Sequence, residues 1–102
     1  MLIIKKLCEM IDDELEGAEG YAKCALHYKD SDPALAEVFY TISTEEMRHL
    51  DRLHEQVVHY IRKYRDAHGE PPAAMQAVWD YIHAKQIEEA KEIKAYQEQY
   101  RA

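Results

Sequence analysis

Residues 33–68 read PALAEVFYTISTEEMRHLDRLHEQVVHYIRKYRDAH, and the spacing of the apolar positions in this stretch decides the fold. Leu35, Phe39, Ile42, Glu46, His49, Leu50, Leu53, Val57, Tyr60 and Tyr64 form a stripe at steps of three and four, the signature of an amphipathic helix. Two members of that stripe are not apolar. Glu46-Met47-Arg48-His49 sets a carboxylate and an imidazole one turn apart on the face that should pack a core. Burying either without a partner is costly, and a shared transition-metal ion is one partner that answers both. An Arg or Lys reaching in from another helix is the plainer answer.

Upstream, Ile4, Leu7, Ile11, Glu14, Leu15, Ala18, Ala22, Ala25 and Leu26 mark a first helix from about Leu2 to Tyr28. Lys29-Asp30-Ser31-Asp32-Pro33 separates it from the next, with Asp32 suited to the N-cap and Pro33 to the first helical position. So short a connection makes helices one and two antiparallel neighbours. Helix two, continuing to about His68, spans roughly 50 Å at 1.5 Å per residue and outruns helix one by about two turns. That excess needs another surface to pack on. Gly69-Glu70-Pro71-Pro72 breaks the chain, and Met75, Val78, Trp79, Ile82, Ile93, Tyr96 and Tyr100 mark a third helix over about 73–101. The expectation is one all-α domain over residues 1–102, a helical hairpin plus a third helix.

A hydrophobic content of 47% excludes a disordered chain, while 32% charged residues with three Gly and three Pro suit helices better than a sheet sandwich. The 13 basic and 20 acidic residues leave a formal net charge of −7, which argues against a nucleic-acid binder and favours attraction of cations. Cys8 and Cys24 form no Cys-x-x-Cys pair and read as reduced thiols. No apolar run reaches the length of a signal peptide or a membrane span, so a cytoplasmic protein is expected, free or inside a larger protein shell.

At 100° per residue, Glu14 falls within about 60° of the centre of helix one's inner face, whereas Glu16 points well away from it. An inward Glu on one helix and an inward Glu-x-x-His on its antiparallel partner are half of the ligand set of di-iron carboxylate proteins. Two copies of the chain about a two-fold axis would supply the whole set: two Glu14, two Glu46 and two His49. Carboxylates and imidazole suit Fe(II), and two adjacent ions can share the delivery of electrons to dioxygen.

The segment Asp13-Glu14-Leu15-Glu16-Gly17-Ala18-Glu19-Gly20-Tyr21, then Asp32-Pro33, then Glu45-Glu46-Met47-Arg48-His49, resembles the encapsulated ferritin family of half-size ferritin-like proteins. The likeness covers roughly residues 13 to 65. It implies a four-helix core built by two chains, a non-haem di-iron ferroxidase centre at their interface, and dimers that associate into a ring. By position, Glu14, Glu46 and His49 match the ferroxidase ligands, Asp13 and Glu16 match acidic residues through which metal reaches the centre, and Tyr21 matches a tyrosine close to it. Gly20 stands where the family has a tryptophan, and the loop between helices one and two is about two residues longer. The chain ends Gln97-Glu98-Gln99-Tyr100-Arg101-Ala102, still helical in character and without the tail that docks family members in an encapsulin shell, so the fold and metal centre are better supported than residence in such a compartment.

The sequence therefore supports an iron-oxidising, iron-storing homo-oligomer. A helical adaptor that exists to oligomerise, and a module that binds metal without turnover, are the alternatives. His54 and His59 read as surface residues, being poorly spaced to chelate one ion. Gln86 and Glu89 on helix three are expected to face helix two's overhang or a subunit interface. Trp79, Tyr81, Tyr96 and Tyr100 read as packing and interface residues rather than electron relays, and Tyr21 and Tyr40 as lesser candidates for a redox or supporting role.

Overall fold

The computed structural model describes residues 2–102 as three helices, α1 (Leu2–Tyr28), α2 (Pro33–His68) and α3 (Ala73–Arg101). They lie side by side in a rod of 55 × 18 × 18 Å. The Asp32 carboxylate accepts the Leu35 backbone N–H at 3.2 Å, which supplies one of the donors that the start of α2 leaves unpaired, while Pro33 occupies the first turn. Gly69 ends α2 with φ 77°, a left-handed conformation open to glycine at no steric cost, and its N–H returns to Arg65 O at 2.8 Å.

α1 is the central helix and packs on both others. Its inner residues Ile4, Ile11 and Leu15 are almost fully buried, and Ile93 of α3 joins them. Each such side chain contributes about 1.5–3 kcal/mol, against about 1 kcal/mol or less for an exposed ion pair such as Lys23–Glu19, so packing rather than surface charge holds the rod together. Towards the turn the same stripe narrows to Ala18, Ala22 and Ala25, all buried, and the α1 and α2 backbones come close.

α3 runs parallel to α1 and antiparallel to α2, as the contacts Gln86 with Cys8, Lys23 with Tyr96 and Tyr100 with Glu37 require. Its start covers the overhang of α2: Trp79 meets Tyr64 edge-on at 5.9 Å, and Arg65 donates to Gln76 Oε1 at 3.1 Å. Its end is clamped near the first turn, where Tyr100 stacks on Tyr40 at 4.9 Å and donates to Glu37. Tyr40 is thereby committed to packing.

The return of α3 overturns two expectations. Gln86 faces α1, not the overhang or a subunit interface: it is buried, and its amide donates to Cys8 O at 3.3 Å and Asp12 Oδ1 at 3.1 Å. His54 is half-buried and stacked on His83 at 5.1 Å, because α3 passes directly over it, whereas His59 is exposed. Glu89 lies in a loose pair with Lys85 at 4.0 Å. Both cysteines are free thiols, and burial, helped by Asp12 and Glu9, pushes the Cys8 thiol up and makes it a poor nucleophile. Among the described residues no helix is long and apolar enough to cross a membrane.

Candidate metal centre

The register between α1 and α2 is fixed by a buried hydroxyl. Ser43, with no exposed surface, donates to Ala18 O at 2.7 Å and accepts the Gln97 amide from α3 at 2.9 Å, tying all three helices at one level. With Ala18 opposite Ser43 on antiparallel helices, Glu14, one turn earlier on α1, falls opposite Glu46 and His49 on α2.

The three side chains converge. One ligand atom from each of Glu14, Glu46 and His49 lies within 4.8 Å of the others, the single group of three or more potential ligands among the described residues. His49 Nδ1 stands 3.4 Å from Glu14 Oε2, in contact but not aligned as a hydrogen bond. Glu14 Oε2 is buried and meets no hydrogen-bond donor. No Lys or Arg among the described residues pairs with either carboxylate, so the plainer reading of the Glu-x-x-His step has no counterpart here.

Electrostatics follows from this geometry. The Glu46 carboxyl is pushed up to about 7, first by sharing a hydrogen bond with Glu14, then by burial and the nearby Glu14 charge; His49 opposes the rise. With both carboxylates ionised, Glu14 Oε2 is orphaned; a proton on Glu46 can supply the donor. A cation can do the same for both oxygens at once. Two carboxylate oxygens and an imidazole nitrogen form a mixed set that suits Fe(II), Mn(II) or Zn(II).

Gly17 makes room for the arrangement. A Cβ at this position would lie 3.2 Å from Glu46 Oε2, so the carboxylate rests against bare α1 backbone. Gly20, on the same helix, has open space around its missing side chain. Neither Ser43 nor Gly17 stood out in the sequence, although a glycine inside a helix, where it costs about 0.5–1 kcal/mol against alanine, is a signal of some close approach.

The site is open on one side. His49, expected to point inward, keeps 53% of its side chain exposed, against 26% for Glu14. A cavity of about 350 Å³ in front of it is lined by Met10, Asp13, Glu14, His49, Arg52 and Leu53, all from α1 and α2. Asp13, exposed, is one of these lining residues. Glu16 is exposed and lies some 200° around α1 from Glu14, outside the cluster. Tyr21 is 36% exposed and packs its ring near Phe39 at 6.1 Å, two turns from Glu14.

Compared with known proteins, the chain matches no family model, no curated protein and no solved structure. The all-α, three-helix arrangement is consistent with one subunit of a ferritin-like bundle, and the Glu/His cluster is able to coordinate a metal ion.

Proposed function

We propose that the protein is a metal-binding module that holds a divalent transition-metal ion, Fe(II) first among them, through Glu14, Glu46 and His49. The observation that carries this reading is the buried Glu14 Oε2, without a donor, facing an imidazole and a second carboxylate, with neither carboxylate paired to a Lys or Arg among the described residues. The donor set favours the first-row transition ions over Mg(II), which prefers oxygen alone. Anaerobic titration with Fe(II), or with Co(II) followed by its visible absorption, should saturate near one ion per chain. Glu14→Ala and His49→Ala should each weaken binding by about a hundredfold or more, since even residues that only support a ligand cost 10–100-fold. Unchanged affinity in both variants would discard the site.

A second reading builds on the first, and the exposure of His49 favours it. Three ligands leave coordination positions open, and the side of α1 and α2 that presents them carries exposed apolar residues, including Met10, Tyr21, Leu35 and Val38. A second copy docked there about a two-fold axis would bring two ions together between two Glu14, two Glu46 and two His49. Fe(II) is then the substrate: each of two ions gives up one electron, and dioxygen takes both and leaves as peroxide with two protons. Admitting air to the Fe(II)-loaded protein should produce ferric absorbance faster than in buffer, with two irons per dimer by sedimentation. Binding without accelerated oxidation would keep the metal module and discard the ferroxidase.

A further inference from the structure

α2 and α3 stand apart along much of their length, and the gap between them is unlike the α1–α2 seam. It holds a cavity of about 370 Å³, within the range of small-molecule pockets, where a close-packed interior would leave none. Ile4 and Cys8 of α1 lie at its back, and Val58, Ile61, Trp79 and Ile82 line its sides. Arg62 and Arg65 lie at one end, on the last turns of α2. Arg65 is held in place by Gln76 and, more loosely at 3.7 Å, by Glu70. Arg62 has no ion-pair partner among the described residues. The one carboxylate in the lining, Asp80, accepts the Gln76 amide at 2.8 Å. At the other end the stacked His54 and His83 separate this cavity from a second one of about 300 Å³, which carries Lys91 and Lys94.

From this juxtaposition we infer that the α2–α3 cleft is a binding site for a free medium-chain monocarboxylate, with the carboxylate at Arg62 and Arg65 and the alkyl tail against Trp79, Ile61 and Ile82. Charge complementarity selects the occupant. Arg62 has no ion-pair partner among the described residues and Arg65 only the loose one to Glu70, so a carboxylate supplies at this end of the cavity a counter-charge that a neutral or cationic amphiphile cannot. The site shares no lining residue with the Glu14, Glu46 and His49 cavity, so it stands independently of the metal reading.

Trp79 is the only tryptophan in the chain, which makes its emission a direct reporter. Titration of the full chain with decanoate should shift or quench Trp79 fluorescence with saturation, while decanol and decyltrimethylammonium should act at least tenfold more weakly. Arg62→Glu with Arg65→Glu should weaken decanoate binding at least tenfold at unchanged helicity, and Val58→Phe should block it by filling the cavity; Glu14→Ala should leave it intact. Decanoate without effect, including because a second copy of the chain covers the cleft, would overturn the assignment. So would decanol binding equally well, or decanoate binding that is indifferent to the arginine variant; should that variant fail to fold, Val58→Phe and the three-ligand comparison decide alone.

Discussion

Two polar clusters sit about one turn apart on the same pair of helices, and they are built on opposite principles. Around Ser43 every group is answered: the hydroxyl donates to Ala18 O and accepts from Gln97, all inside the bundle. Around Glu14 the account stays open, with a buried oxygen that has no donor and a neighbouring carboxyl that must keep a proton to help it. A satisfied network specifies register; an unsatisfied one beside it, open to solvent on one side, marks where something from outside belongs.

The sharpest way to break the contrast is to swap the fortunes of the two clusters. Glu46→Gln gives Glu14 Oε2 a permanent amide donor and removes a ligand, so thermal denaturation of the metal-free protein should show a higher Tm while metal affinity falls about a hundredfold or more. Ser43→Ala should do the reverse to stability, costing about 1–3 kcal/mol in denaturant unfolding because Ala18 O and the Gln97 amide lose their partner. Its effect on metal affinity should be the smaller of the two.

Acidity separates the clusters next. Glu46 titrates at about 7 in the folded protein against its ordinary 4.5, so the folded state holds a proton that the unfolded state has released. The stabilisation from that proton is complete below about pH 4.5 and is lost as pH rises through about 7. Unfolding free energy should decline across that window in the wild type and change less in Glu46→Gln. The same proton competes with metal, so affinity should fall as pH drops below 7, with proton release on loading at pH 6 measurable in unbuffered titration. A flat affinity profile from pH 8 to 5.5 would remove Glu46 from the ligand set.

The glycines offer the finest test. Gly20→Ala, into open space, should raise stability by about 0.5–1 kcal/mol and leave metal binding unchanged. Gly17→Ala should give up some of that gain and weaken metal binding several-fold, because the new methyl group crowds Glu46 Oε2. Equal effects at the two positions would mean that Gly17 has no part in placing the carboxylate.

The all-α class and the hairpin were legible because they rest on signals along one strand of sequence: the three-and-four stripe, and Asp32-Pro33, whose carboxylate does cap α2. The convergence of Glu14 with Glu46 and His49 was legible for the same reason, since a short turn fixes which faces of two helices meet. What depended on α3 was not. Periodicity tells which face of a helix is apolar but not which neighbour it meets, so it gives Gln86 the wrong surroundings and puts His54 on the surface. Ser43 was silent because a serine in a helix is ordinary until its partners are known. The exposure of His49 could not be read either, because a stripe looks the same whether its face is closed or open.

The rod is 18 Å across and about three times as long. Nothing in it lies more than one layer of side chains from water. An ion held by one chain at Glu14, Glu46 and His49 therefore exchanges with the bulk about as fast as its ligands let go. A surface that closed over His49 would lengthen that stay without adding a ligand.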